Sequence, residues 1–155
     1  MTTPNAETSD ARRARVRQAL ARNAYAVLAT VGEEQPHASF MAYAALDSCH
    51  KLIFATYANT RKCRNLRQNP RVALLADCQL DEQDRVAVTA IGRAREVTAI
   101  EHADALATYC RTHPDFSDFA HSAEAVLFVI EVDWLESAAG IDDVQWWRMG
   151  ADAHD

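Results

Sequence analysis

The distribution of apolar residues along the chain predicts a protein made mainly of β-strands. Continuous or alternating apolar runs of strand length recur from residue 25 onward, each bounded by polar or turn-forming residues. The predicted strands span residues 25–31, 36–46, 51–56, 72–76, 85–97, 125–132 and 144–149. Within the fifth run, Gly92 predicts a β-bulge or a close approach of another backbone.

Four stretches between or before these runs predict helices, at residues 9–22, 61–69, 99–111 and 114–122. Thr60 can cap the second helix, and Pro70 prevents its continuation. Thr98 and Glu101 form a capping-box pattern at the start of the third. The buried face predicted for this third helix consists of Ile100, Ala103, Ala107 and Cys110.

Six or seven strands with mostly short connections between the first five favour a mainly β fold, an antiparallel β-barrel with α-helices at its rim. We expect one domain over residues 1–155, with residues 1–7 disordered. No G-x-G-x-x-G follows a strand and no G-x-x-x-x-G-K-[ST] occurs, so a doubly wound nucleotide fold and a P-loop enzyme are poor fits.

Net charge, apolar run length and the positions of Cys and His argue against several classes of protein. The net charge of −6 argues against a protein that coats nucleic acid, and no apolar run approaches the ~18 residues of a membrane span. The four cysteines lack a C-x-x-C pair and no signal peptide precedes them, so we expect free thiols and a cytoplasmic location. None of the six histidines has H-x-x-x-H or H-E-x-x-H spacing, so we expect no metal site.

Arg61 and Lys62 occupy an unusual position, the first turn of the helix that Thr60 caps. A helix N-terminus carries partial positive charge, which disfavours a cation there by roughly 0.3–1 kcal/mol. Two cations at this end are explained if a phosphate binds among them and the exposed N–H groups. The alternative, which these residues leave open, is a solvated basic face without a ligand.

Trp146 and Trp147 are neighbours on the last predicted strand, so their side chains are expected to point to opposite faces. One ring can then enter the core while the other lies at an edge. The functional alternative is that the outer ring lines a planar ligand or a subunit interface. No catalytic residue is implied by spacing, since no G-x-S-x-G or comparable pattern surrounds a nucleophile.

Taken together, these segments resemble the pyridoxamine 5′-phosphate oxidase-like FMN-binding split barrels. The resemblance covers roughly residues 20–132 and is most specific over 54–75. It is carried by Ala-Thr-Val at 29–31, Pro-His-Ala-Ser at 36–39, Phe-Ala-Thr at 54–56, Thr-Arg-Lys at 60–62 with Asn65-Leu66, Asn-Pro-Arg-Val-Ala-Leu at 69–74, and Ile-Gly-Arg-Ala at 91–94.

The resemblance implies an FMN cofactor and a homodimer with two FMN sites at the subunit interface. By similarity, the phosphate is held by Thr60, Arg61 and Lys62. The flavin ring and ribityl chain are contacted by Ser39, Phe40, Met41, Ala42, Ala55 and Thr56. Trp146 of one subunit would belong to the site of the other.

The chain departs from the vitamin B6 oxidases of this family. Those enzymes carry an Arg where Ser39 falls and a Lys where Ala44 falls, and they end in a substrate segment with Arg and His that is missing here. Oxidation of vitamin B6 is therefore doubtful. The resemblance implies an FMN-dependent oxidoreductase of unknown substrate and reductant, with two alternatives: a non-catalytic FMN-binding or electron-carrier protein, and a haem-binding or haem-degrading relative with His154 as a ligand.

Overall fold

A computed structural model describes residues 7–150, in which antiparallel β-strands dominate. The strands are β1 (Tyr25–Gly32), β2 (Gln35–Ala42), β3 (Ala44–Leu46), β4 (Lys51–Tyr57), β5 (Arg71–Gln79), β6 (Arg85–Glu96), β7 (Ala125–Ala138) and β8 (Val144–Arg148). The α-helices are α1 (Ser9–Arg22), α2 (Arg61–Gln68), α3 (His102–Thr112) and α4 (Ser117–Ala120). Short 3₁₀ turns cover Asp47–Cys49 and Pro114–Phe116.

All strands belong to one sheet with the order β2-β1-β5-β6-β7-β4-β3, and β8 pairs with β7. Every pairing is antiparallel. The sheet curls into a half-barrel, which confirms the predicted mainly β, antiparallel barrel with helices. Its curvature allows one face to enclose a core while the other remains available to helices and solvent.

The predicted strand at 36–46 is divided in two at Tyr43. The first half, β2, pairs with β1, and the second, β3, pairs with β4, so the halves lie at opposite ends of the strand order. Tyr43 is fully buried, and its hydroxyl donates to the Leu20 carbonyl at 2.6 Å. The chain thus crosses between the two ends of the sheet at Tyr43, which is hydrogen-bonded to α1.

Two hydrophobic clusters cover opposite faces of β4. Leu52 and Phe54 belong to the interior cluster, on which α1 also packs, whereas Ile53 and Ala55 belong to a second cluster beneath α3 and α4. Because both faces of β4 are buried, its sequence is a continuous apolar run rather than an alternating one.

The buried face predicted for α3 is wrong. Ile100 is 94% exposed because it lies in the turn before α3, and Ala103 and Ala107 are exposed as well. The helix begins later and buries Ala105, Thr108 and Tyr109, which have i, i+3, i+4 spacing. Cys110 is only partly buried.

The bulge predicted at Gly92 is confirmed. The register between β6 and β7 shifts between Ile91 and Gly92, and a Cβ on Gly92 would lie 2.0 Å from the Glu131 carbonyl oxygen. Only a residue without a side chain fits there, so the register of two long strands depends on this glycine.

The structure also bears on the predictions made for the N-terminal segment, the four cysteines and membrane-spanning segments. The predicted disordered segment lies mainly outside the described residues, but Glu7 is described and accepts from Arg15 at 3.0 Å. All four cysteines are free, and Cys49, Cys63 and Cys78 are buried. Within residues 7–150 no helix has the length and apolarity that a membrane crossing requires.

Candidate cofactor site

The connection between β4 and α2 forms a directed chain of hydrogen bonds. The Thr60 hydroxyl caps α2 by accepting from the Cys63 N–H at 3.3 Å, as predicted, and it donates to the Tyr57 carbonyl at 3.0 Å. Thr56 Oγ1 lies 2.9 Å from Thr60 Oγ1, and Lys62 Nζ donates to Thr56 Oγ1 at 3.2 Å. The chain therefore runs from Lys62 through Thr56 and Thr60 to the backbone.

Lys62 is half-buried, and burial lowers the pKa of its ammonium group. Within residues 7–150 it has no carboxylate partner, and the first turn of α2 contains no acidic residue. A partly desolvated cation with one neutral partner, at the positive end of a helix, lacks a counter-ion. A phosphate group fits this arrangement, because it would supply the missing negative charge.

Arg61 is positioned differently from its neighbour. It is exposed and lines a cavity of about 250 Å³ together with Arg64, Asn65 and Gln68 of α2 and with the turn at Gly32. Consecutive side chains of a helix point about 100° apart, so the side chain of Arg61 points in a different direction from that of Lys62. The two cations thus differ in burial, since Arg61 is exposed and Lys62 is half-buried, and a contact of Arg61 with phosphate stays a prediction.

The side chains of β2 that are predicted to contact the flavin alternate between the two faces of the sheet. Met41 is buried in the interior cluster, and Ser39 pairs with Leu28 on the same face. Phe40 points outward, is 73% exposed, and stacks on Tyr25 with ring centroids 5.6 Å apart. Ala42 lies on the outer face under the helices.

The two residues predicted on β4 also face opposite sides. Ala55 packs in the outer cluster with Ala42, whereas Thr56 is buried on the interior side and joins the hydrogen-bond chain of Lys62. Their contacts with a cofactor remain predictions.

Ser39 Oγ and His37 Nδ1 are buried and have no hydrogen-bond partner among the described residues. Both side chains lie on one face of β2, and His37 pairs with Thr30, whose hydroxyl accepts from Asn65 of α2 at 3.0 Å. Buried polar atoms without partners are uncommon and cost roughly 1–3 kcal/mol each. His37 is not among the residues predicted to contact the cofactor, although its spacing of two from Ser39 is the signal that places both on one face.

Trp146 and Trp147 point to opposite faces of β8, as predicted. Trp147 is 7% exposed and belongs to the interior cluster, whereas Trp146 is 53% exposed on the outer face. Whether Trp146 contacts a cofactor stays a prediction. In the described part of the chain, no group of three or more His, Cys, Asp or Glu residues is arranged to hold a metal ion.

Known structures share this fold. A haem-binding protein from Mycobacterium smegmatis superposes with a TM-score of 0.77 at 20% identity, over 96% of this chain and 60% of that one. An FAD-binding protein from Mesorhizobium loti gives 0.64 at 23% identity, over 77% and 88%. A protein of the pyridoxinephosphate oxidase family from Clostridium acetobutylicum, related to general stress protein 26, gives 0.68 at 12% identity, over 86% and 92%.

At these identities the structural likeness shows the fold alone, and the chain spans only 60% of the haem-binding protein's length. A comparison with curated proteins finds no match. The sequence model of the family described as pyridoxamine 5′-phosphate oxidase, however, matches residues 13–138, which include β2, β4 and α2. Because this match covers most of the chain, the protein belongs to the pyridoxamine 5′-phosphate oxidase family.

Proposed function

We propose that the protein binds FMN and acts as an FMN-dependent oxidoreductase. The observation that carries the proposal is Lys62, a half-buried cation at the N-terminus of α2 that has no counter-ion among residues 7–150. Membership of the pyridoxamine 5′-phosphate oxidase family and the fold shared with an FAD-binding protein support a flavin as the ligand.

In this proposal the chain's own residues bind and orient the cofactor. Lys62 and the first N–H groups of α2 hold the phosphate, while Thr56 and Thr60 fix the ammonium group of Lys62. Ser39 and His37 offer their unpartnered polar atoms to the ribityl chain or the ring. Bound FMN would supply hydride or electron transfer.

We further propose that the substrate is not pyridoxamine 5′-phosphate. Ser39 and the buried Ala44 stand where the vitamin B6 oxidases carry Arg and Lys, so no cation is offered there to a second phosphate. The substrate of the proposed oxidoreductase is therefore expected to lack a phosphate group.

A homodimer is proposed because apolar residues line the outer face of the half-barrel. Residues that pair in an antiparallel sheet point to the same face. One cross-strand row follows the registers through Phe40, Val27, Leu75, Thr89, Glu136 and Trp146. Phe40, Leu75 and Trp146 are exposed large apolar residues of this row, and a second copy of the chain would cover them.

The proposal is tested by titrating the purified protein with FMN and with riboflavin, which lacks the phosphate, and following flavin absorbance and fluorescence. We expect FMN to bind much more tightly than riboflavin. Equal affinities would contradict the phosphate site, and no binding of either flavin would contradict the proposed function as a whole.

Two further titrations separate the alternatives. Bleaching of the bound flavin by NADH or NADPH without air supports an enzyme, whereas its absence favours an electron carrier. Haemin is titrated because the Mycobacterium smegmatis neighbour is a haem-binding protein. The predicted haem ligand His154 lies outside the described residues, so a Soret band that survives His154→Ala would exclude that ligand.

A further inference from the structure

A cavity of about 190 Å³ lies on the outer face of the sheet, beneath the start of α3. The residues that line it are Leu46, Lys51, Ile53, Val97, Glu101, Asp104, Ala105 and Val129. None of these residues belongs to the candidate cofactor site. The cavity is therefore a separate feature that the proposed flavin function does not use.

The floor of the cavity is apolar. Ile53 and Val129 are a cross-strand pair of β4 and β7, and together with Ala105 of α3 they are buried members of the outer cluster. Leu46 and Val97 pack against the same cluster but are only partly buried. Ala105 is the apolar residue that α3 contributes to the lining, and its side chain ends at Cβ, so it leaves room for the apolar group of a small ligand.

Three charged side chains line the cavity, and they differ in whether they have partners. The Glu101 carboxylate is already engaged, because it accepts from both terminal nitrogens of Arg95 at 2.8 Å each. The Lys51 side chain is partly buried and forms no hydrogen bond or ion pair with any residue in the range 7–150. The Asp104 carboxylate is exposed and has no hydrogen bond or ion pair in that range either.

Glu131 is the nearest carboxylate to Lys51 across the sheet, since the two residues stand opposite each other in the pairing of β4 with β7. Its carboxylate accepts from Arg95 at 3.2 Å, however, and forms no ion pair with Lys51. Arg95 therefore serves both Glu101 and Glu131. The two groups left without partners are the ammonium of Lys51, on β4, and the carboxylate of Asp104, on α3, and they have opposite charges.

We propose that this cavity binds a free α-amino acid with a short apolar side chain. The carboxylate of the ligand accepts from Lys51, its ammonium group donates to Asp104, and its side chain packs on the apolar floor. A simple carboxylate would meet the like charge of Asp104, and a simple amine would meet that of Lys51, whereas a zwitterion matches both. The site does not depend on FMN binding at α2.

The test is isothermal titration calorimetry of the full chain with L-leucine at neutral pH and constant ionic strength, for which we expect saturable binding. Three analogues each lack one of the groups that the site would recognise: glycine lacks the apolar side chain, isoamylamine the carboxylate and 4-methylpentanoate the ammonium group. Each should bind about tenfold more weakly or worse. No saturable binding of leucine would overturn the proposal, as would an analogue that binds as tightly as leucine.

Variants of the lining locate the binding. Lys51→Gln should weaken leucine about tenfold, and Asp104→Asn, at a more exposed side chain, roughly threefold to fivefold. Ala105→Leu fills the cavity and should abolish binding; if it does not fold, the two charge variants still decide. Arg111→Gln and Asp118→Asn remove exposed charges of the same signs elsewhere on α3 and α4 and should leave the affinity unchanged. Equal leucine affinity in the wild type, Lys51→Gln and Asp104→Asn would overturn the proposal.

Discussion

At the scale of single residues, Arg61 and Lys62 carry the same charge in the same helical turn but differ in environment. Lys62 is half-buried and donates to Thr56, whereas Arg61 is exposed and lines another cavity. The field at a helix N-terminus acts on both, but desolvation acts mainly on Lys62. An anion bound at this turn would therefore gain more binding free energy from Lys62 than from Arg61.

We expect Lys62→Ala to weaken FMN binding by roughly ten- to a hundredfold, because one charge-assisted contact is worth about 1.5–3 kcal/mol. Riboflavin should be affected far less. The stability of the protein without cofactor should stay the same or rise slightly, since a poorly placed cation is removed. Fluorescence titrations with both flavins and thermal unfolding measure these effects.

Arg61→Ala is the matched control for this prediction. It removes the same charge from the same turn but leaves the hydrogen-bond chain through Thr56 intact. We expect a smaller loss of FMN affinity than in Lys62→Ala. If Lys62→Ala weakened FMN and riboflavin equally, Lys62 would act on the ring or the fold rather than on the phosphate.

At the scale of elements, the pairing of β6 with β7 depends on Gly92. The nearest atoms to a Cβ there belong to the backbone of β7, at 2.0 Å for the Glu131 carbonyl oxygen and 2.9 Å for its carbon. Backbone within a sheet cannot rotate away as a side chain can. The clash must therefore be relieved by separating the strands or shifting their register.

Gly92→Ala should lower the free energy of unfolding by about 3 kcal/mol or more, at or beyond the upper end of the usual cost of overpacking. Chemical denaturation followed by circular dichroism measures it. Gly140→Ala is the control, because a Cβ there meets nothing within 4 Å. Equal stability of the two variants would show that the bulge tolerates a side chain.

The start of α3 is held by Glu101. Its carboxylate accepts from both terminal nitrogens of Arg95, at 2.8 Å each, and from the Thr98 N–H at 2.9 Å. These bonds, first of all those from Arg95, hold the pKa of Glu101 well below its ordinary value of 4.5. The capping-box pattern in the sequence is thus formed, with an additional partner from β6.

The Glu101 carboxylate makes the free energy of unfolding depend on pH in the acidic range. Its pKa is depressed in the folded state, so the unfolded chain binds the proton first as pH falls. The stabilisation is complete above pH 4.5 and is lost progressively below it. Glu101→Gln should therefore be less stable than the wild type at neutral pH and show a shallower loss on acidification, whereas Glu82→Gln, in the loop after β5, should keep the wild-type slope. Parallel pH profiles for wild type and Glu101→Gln would contradict this account.

At the scale of the whole molecule, the outer face of the half-barrel exposes several large apolar residues. Trp134 and Val144 add exposed apolar surface beside the cross-strand row that ends at Trp146. In water this surface is costly, and a second copy of the chain would remove it. The proposed dimer and the predicted role of Trp146 therefore depend on the same surface.

We expect wild-type protein to be a homodimer by light scattering at micromolar concentration and Trp146→Glu to be mostly monomeric, with weaker FMN binding. Ile100→Glu is the control, because Ile100 is equally apolar and more exposed but lies in the turn before α3. A monomeric wild type that binds FMN would rule out a shared site. A Trp146→Glu variant that remains dimeric would place the interface elsewhere.

Features that depend on near neighbours in the chain can be predicted from the amino-acid sequence alone. The Thr60 cap, the end of α2 before Pro70, the bulge at Gly92 and most strand positions follow from backbone preferences and apolar periodicity within a few residues. The unusual charge at the start of α2 was visible in the same way. These interactions are short-range, so a linear pattern is enough to reveal them.

Which of those features lie together in space follows from the folded chain and not from local patterns. The division of 36–46 at Tyr43, the buried face of α3, the burial of Lys62 but not of Arg61 and the unpartnered atom of His37 are examples. Each depends on packing between segments far apart in the chain. Such packing selects among several locally acceptable conformations, because the free energy gained by burying a surface is set by what covers it rather than by its own sequence.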